Sequence, residues 1–287
     1  MSSFTWKRVA TTARWMGMVV TGSLILAGCG NNETTGKVTL SGSSTVAPLA
    51  QVIGQQYESE NPGMEIDVQT GGSSRGISDA TRGLVDIGMA SRALTPEEQE
   101  NLSPHTIAWD GIAPIVHRDN PVTELSDSQI RGIYTGEISN WSVLGGPDAE
   151  IVVVNKAEGR STLKLFLHYF DLKNSEIAAD VVIGDNQQGI KTVAGNPYAI
   201  GYVSIGTAEF EASEGAAIRL LPMGGVEAST ASVSSGRFPL SRPLNLLVRP
   251  DLSQASQRFL DYARSAQVAD LVKGQFFVPI DYSSAEH

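Results

Sequence analysis

The chain has 287 residues, 41% of them hydrophobic, with 31 Asp and Glu against 21 Lys and Arg and a formal net charge of −10. That length holds one large domain or two moderate ones, and the apolar fraction supports an ordinary packed core. The surplus of carboxylates excludes nucleic acid and anionic lipid as diffuse electrostatic partners, but leaves a local cationic pocket open.

Lys7, Arg8 and Arg14 form a basic segment ahead of an apolar run, residues 15–26, that is too short to span a bilayer comfortably. The run ends in Leu26-Ala27-Gly28-Cys29, small residues before the one cysteine of the chain. This reads as a lipoprotein signal over residues 1–28 with Cys29 as the lipidated residue; the competing reading is a buried structural thiol. Residues 29–36 are polar and read as a tether, so the protein is anchored to a membrane and does not span it.

Beyond the tether, β-like runs alternate with amphipathic helical ones. A strand over 37–40 precedes a helix over 45–60, which Asn61-Pro62-Gly63 stops. A strand over 64–69 precedes a helix over 74–82, and Val85-Asp86-Ile87 is strand-like. A strand over 107–117 precedes a helix over 126–135, whose Ser126-Asp127-Ser128-Gln129 start has the form of a capping box. A strand over 150–155 precedes a helix over 161–170, and another apolar strand covers 244–248. The alternation predicts an α/β fold with largely parallel or mixed sheets. Crossovers are expected at 117–121 and 235–240. The pattern alone fits two lobes with a cleft between them, or a single α/β domain with two long loops.

Four segments share one design: each follows a β-like run, leads toward a helix, and is rich in Gly, Ser, Thr or a cation. They are Ser43-Ser44-Thr45, then Ser73-Ser74-Arg75 after two glycines, then Ser91-Arg92, and last Lys156-Ala157-Glu158-Gly159-Arg160-Ser161-Thr162. The first amides of a helix lack intrahelical partners, and the helix dipole adds partial positive charge there. Hydroxyls add donors, and loops at strand C-termini of an open α/β sheet gather at one crevice. Taken singly, each loop is also an ordinary helix cap, and each Arg an ordinary surface ion-pair partner. Recurrence of one chemistry at consecutive strand ends favours a shared socket for a tetrahedral oxyanion. Asp86 reads mainly as a loop-fixing residue, and Trp141 as a packing residue. The four histidines have no metal-ligand spacing, and the hydroxyls have no evident His partner, so neither a metal centre nor nucleophilic catalysis is expected.

The stretches "SGSST", "GGSSRGISDATRGLVDIGMASRAL", "DGIAPIVHRDNP", "IRGIYTGEISNW" and "AIGYVSIG" resemble, in order, the periplasmic phosphate-binding lipoproteins of Pst-type ABC importers. The resemblance runs from Val38 to about Pro279. It implies a bilobal type II periplasmic-binding-protein fold, two α/β lobes joined by a two-strand hinge. Lobe 1 is then 37–117 plus 241–287, and lobe 2 is 118–240. It implies a non-enzymatic, monomeric, lipid-anchored receptor of the periplasm or outer cell-envelope face. Such a receptor uses no cofactor and delivers inorganic phosphate to a membrane permease and its ATPase. Sulfate, molybdate, tungstate, or a scavenging or adhesive role are the alternatives.

The resemblance further implies that Thr45, with the amides of Ser44 and Val46, and Ser73 and Thr162 contact the ligand. Familiar members have aspartate where Arg92 aligns, Arg where Lys156 stands, and Ser where Arg160 stands. On that alignment Arg160 takes over a charge contact from Lys156, and Glu158 orients one of the two or accepts a ligand proton.

Overall fold

The computed structural model describes residues 36–284. The signal over 1–28, the lipidated Cys29 and the tether as far as residue 35 lie outside the described residues. Gly36, assigned to the tether from sequence, opens the first strand.

In chain order the elements are β1 (Gly36–Gly42), α1 (Ala47–Glu60), β2 (Met64–Thr70), α2 (Ser73–Thr81), β3 (Ile87–Ala90), α3 (Pro96–Gln99), β4 (Ser103–His117), α4 (Asp127–Tyr134), β5 (Val152–Lys156), α5 (Ser161–Tyr169), β6 (Val181–Ile183), α6 (Asn186–Ala194), β7 (Ala199–Ser204), α7 (Ile205–Ser213), β8 (Ile218–Leu220), α8 (Thr230–Ser234), β9 (Ser241–Val248), α9 (Gln254–Ala263), α10 (Ala269–Gly274) and β10 (Val278–Pro279). The main sheet runs β2-β1-β3-β9-β4-β7-β5-β6, with β8 and β10 also pairing β4. Pairs β1–β2, β1–β3, β5–β6 and β5–β7 are parallel, whereas β4 and β9 run against their neighbours. This is the mixed α/β sheet expected from the sequence.

One strand joins the two ends of the sheet. β4 has 15 residues, a reach of roughly 50 Å at the usual rise per residue. Its first part, through Gly111, pairs with β9, and from Ile112 it pairs with β7. The change of partner coincides with the amide of Ile112 donating to the carbonyl of Leu240 (3.0 Å), just before β9 begins.

Strands covered on both faces read as continuous apolar runs. In β9, Leu246 joins the cluster with Leu49, Ile53 and Phe259, while Leu247 joins Ile77, Ala80 and Leu102 on the opposite face. In β5, Val153 packs with Phe166 and Trp141, and Val154 with Ile190 and Val193. Trp141 is fully buried, with its indole N–H on the carbonyl of Tyr198, as its packing assignment requires. Asp86 also has the structural role expected, its carboxylate accepting from the amide and hydroxyl of Thr39. The capping box at Ser126 and Gln129 is formed.

α2 lies unusually close to the sheet, and glycine permits it. A Cβ on Gly76 would stand 2.6 Å from the carbonyl oxygen of Ser41 and 2.7 Å from both Gly42 Cα and the carbonyl oxygen of Met89. All three obstacles are backbone. Gly42 has φ of 137°, a region that residues with side chains rarely adopt. This seating brings Ser73, the first residue of α2, to the end of β3. Gly76→Ala is therefore expected to destabilise the fold by about 2–4 kcal/mol, because no side-chain movement relieves the clash. Chemical denaturation checks it, and an unchanged midpoint contradicts the close seating.

Candidate functional site

Arg242 opens the apolar stretch of β9, and Asp110 lies mid-way along β4. Their side chains are 1% and 0% exposed. The register pairs the two residues directly across the strands. Arg242 Nε and Nη2 donate to Asp110 Oδ2 at 3.1 and 2.9 Å, and Asp110 Oδ1 accepts from the amide of Gly206 at 3.1 Å. A buried guanidinium without a carboxylate would be prohibitively costly, so this pair is obligatory.

The remaining donors of Arg242 collect three of the sequence candidates. Nη1 donates to Ser91 Oγ (3.2 Å) and Thr162 Oγ1 (3.0 Å), and Nη2 to Thr45 Oγ1 (3.3 Å). All five guanidinium N–H groups are thus used. Each hydroxyl receives a charge-assisted bond on its oxygen, which leaves its own hydrogen free to donate elsewhere. The loop after β1, the end of β3 and the first turn of α5 meet at one cation.

A second tier supports this trio. Ser73 Oγ accepts from the amide of Ser91 (3.2 Å). Asn186, first residue of α6, donates from Nδ2 to Thr45 Oγ1 (3.1 Å). Lys156 Nζ donates to Asn186 Oδ1 (3.1 Å) and to the carbonyl of Asp185 (2.7 Å). Burial draws the Lys156 pKa down to about 7. The phenol of Tyr202 donates to Asn155 (2.6 Å) beside it. Tyr202 stacks on Phe166 of α5 at 3.9 Å, so one aromatic pair fixes both the end of β5 and the start of α5. The hydroxyl of Ser161, a buried residue in the first turn of α5, has no hydrogen-bond partner.

Other sequence candidates are turned elsewhere. Ser43 Oγ accepts from the amides of Thr45 and Val46, so it caps its own loop and occupies the Val46 amide assigned to ligand. Arg75 is half exposed and pairs with Asp79 (3.1 Å). Arg92 lies in a bidentate pair with Glu98, both contacts at 2.7 Å, which holds the Glu98 carboxyl below its ordinary pKa. Arg92, which stands where familiar members of the resembled family have aspartate, is therefore neutralised by Glu98. Glu158 accepts from Asn174 (3.0 Å) and orients neither Lys156 nor Arg160. Arg160 lies against Gly72 and Gly184, the former from the first half of the chain and the latter from the second. The amide of Ser74 reaches across in the same way to the carbonyl of Gly159 (3.2 Å). Ser44 and Ser74 line two separate clefts, each of about 200 Å³ and each walled by both halves of the chain.

Helix ends separate the site from the scaffold. α3, α4, α6, α7, α8 and α9 are capped by the side chains of Thr95, Ser126, Asp185, Ser204, Ser229 and Ser253. α1, α2 and α5 have no side-chain cap; neither does α10, which continues from a preceding 3-10 turn. The three long uncapped helices follow three of the four candidate loops; the fourth, Ser91-Arg92, leads to the capped α3. The dipoles of these helix ends favour an anion, while the amide of Ala47 is taken by the carbonyl of Ser43, Pro48 has none, and the amide of Ser74 goes to the carbonyl of Gly159.

Asp110, Asn186 and Arg242 were absent from the sequence candidates. The signal for the first and last was a lone charge set against apolar strand residues, in "DGIAPIVH" and "SRPLNLLV". Such charges are buried in opposed pairs. Nothing in the sequence marked Asn186.

Residues 29–267 match the PBP superfamily domain. The phosphate-binding protein PstS of Bacillus subtilis is 30% identical over 257 residues, covering 88% of this chain and 83% of that protein. A structure from Clostridium perfringens, described as a substrate-binding protein of a phosphate ABC transporter and solved with phosphate bound, is 33% identical with a TM-score of 0.80 and covers 86% of this chain and 100% of its own. A phosphate-transport receptor of the ABC type from Vibrio cholerae is 30% identical with a TM-score of 0.70, covering 85% of this chain and all of its own.

Asp110→Asn is expected to destabilise the protein by about 3–5 kcal/mol, since it strands the buried Arg242 charge. The double change Asp110→Asn with Arg242→Met should cost less than the sum of the two singles. Denaturant unfolding of the four proteins measures the coupling, and strict additivity contradicts the pair.

Proposed function

The chain belongs to the phosphate-binding PstS family of the PBP superfamily, and we propose on that premise that it is an extracytoplasmic receptor that closes on inorganic phosphate. The observation that carries the reading is the hydroxyl trio of Thr45, Ser91 and Thr162, each accepting from Arg242 and each therefore free to donate to an oxyanion. Ser73, the buried hydroxyl of Ser161 and the first-turn amides of the uncapped α5 add neutral donors around the same point. Neutral donors hold a compact anion in an acidic protein, because local dipoles and not net charge set the energy of the site. Arg242 works from behind, and Lys156 through Asn186.

In this reading the boundary expected at 117 moves back to Gly111–Ile112, because residues 112–117 pair with β7 and β8, so lobe 1 comprises 37–111 plus 241–287 and lobe 2 comprises 112–240. Their hinge is the pair of strands at Gly111–Ile112 and Leu240–Ser241, where β4 changes partner. Closure brings the amide of Ser74 to Gly159 and Asn186 to Thr45, contacts that an open form would lose. The receptor is monomeric, anchored through lipid on Cys29, performs no catalysis, and hands phosphate to an ABC permease driven by its ATPase.

One observation favours sulfate as a second reading. Asp110 Oδ2 accepts twice from Arg242 and Oδ1 once from Gly206, so at most one lone pair of that carboxylate is left for a ligand proton, and the trio faces the ligand mainly with donors. Isothermal titration with phosphate, arsenate and sulfate decides between them. Phosphate is expected to bind at micromolar Kd or tighter; heat from sulfate alone reverses the assignment. Thr162→Val should weaken binding by about 1–3 kcal/mol through loss of one donor, whereas Arg75→Ala, whose guanidinium is engaged by Asp79, should change Kd less than about twofold. Small-angle scattering should show compaction on adding phosphate, and an unchanged profile contradicts the hinge.

A further inference from the structure

Two buried cations stand close to Thr45, and their charge balance differs. Arg242 is matched by Asp110. Lys156, 3% exposed, donates only to neutral oxygens, the carbonyl of Asp185 and Oδ1 of Asn186. The charged and titratable groups around it come from several elements. Arg242 of β9 and Arg160 of its own loop repel it. Asp185, the N-cap of α6, attracts it, but that carboxylate also accepts from the amide of Gln188. Tyr202 of β7 is held neutral by burial, which raises its phenol far above the ordinary value. Asn186 connects Lys156 to the ligand-facing side, since its amide nitrogen donates to Thr45 Oγ1.

We infer that Lys156 takes up a proton when a dianionic oxyanion enters the site, so that capture of the ligand and capture of a proton are one event. The inference rests on the oxyanion-receptor reading and adds where the proton goes. A buried ammonium with no carboxylate in contact is unfavourable, so near neutrality part of the population carries a neutral amine. A pKa drawn down to about 7 agrees with this. A neutral amine retains two N–H donors, enough to keep both contacts, so the relay through Asn186 to Thr45 is present in either state. A doubly negative ligand held at Thr45 supplies the missing counter-charge at short range and raises the pKa of Lys156. By linkage, binding above neutral pH then consumes a proton from solvent, and affinity weakens as pH rises.

The test is phosphate titration calorimetry at about pH 8.5, where free phosphate is already the dianion, in two buffers of different ionisation enthalpy. The native protein is expected to take up about one proton per phosphate bound, and its apparent Kd to rise about tenfold per pH unit above pH 8. Lys156→Met should bind more weakly with no proton uptake. Lys156→Arg, permanently charged, should bind without uptake and with a flat Kd over the same range. Binding by the native protein with buffer-independent heats overturns the inference and leaves the receptor reading intact. Uptake that persists in Lys156→Met or Lys156→Arg places the proton on another group and overturns it too. Absence of phosphate binding in either buffer overturns the receptor reading and the inference together.

Discussion

The site depends on one buried ion pair. Arg242 donates all five of its N–H groups, two to Asp110 and three to hydroxyls drawn from widely separated parts of the chain. Asp110 makes the cation tolerable in a dry interior, and the cation gives three hydroxyls a common direction. The order of dependence runs outward. β4 and β9 are adjacent antiparallel strands, their register sets Asp110 opposite Arg242, and the guanidinium then gathers Thr45, Ser91 and Thr162. None of these three residues is near another in sequence: Thr45 and Ser91 arrive on loops, and Thr162 on the first turn of α5.

Backbone proximity does the rest of the positioning. Gly42 and Gly76 let α2 settle onto β1 and β3, which carries Ser73 to the amide of Ser91. Phe166 stacked on Tyr202 fixes α5, so Thr162 reaches Arg242 and Ser161 stays buried with an unpaired hydroxyl. The scaffold helices cap themselves with their own Ser, Thr or Asp side chains. The helices α1, α2 and α5 do not; Ser43 and Gly159 take end amides of the first two, and α5 is the end left open toward the proposed ligand.

Alternation of apolar runs with amphipathic stretches was enough to read the α/β class, the bounds of β1, α1, β2, α2 and α5 to within a few residues, and the capping box at Ser126. Hydrophobic period and turn chemistry are local, so a sequence displays them directly. The short strands β6 and β8, with three residues each, give too little period to be seen. Among the candidate residues, Thr45, Ser73, Ser91 and Thr162 were legible because hydroxyls before a helix are a local pattern. The roles of Arg75, Arg92 and Glu158 were not. Arg75 and Arg92 are taken by carboxylates four and six residues further on, Asp79 and Glu98, and Glu158 by Asn174, sixteen residues further on across the fold.

The sequence by itself determined which chemistry was available: donor-rich loops after strands, a chain of α/β period, and the motif order of a phosphate-binding family. Tertiary structure decided which donors share a point. Asp110 and Arg242 are 132 residues apart and meet only across β4 and β9, while Asn186 joins Lys156 to Thr45 from a third segment. The physical reason is range. Propensity and capping act over a few residues, whereas a buried charge must find its counter-charge wherever the sheet puts it, and the pairing of β4 with β9, strands far apart in the chain, settles where that is.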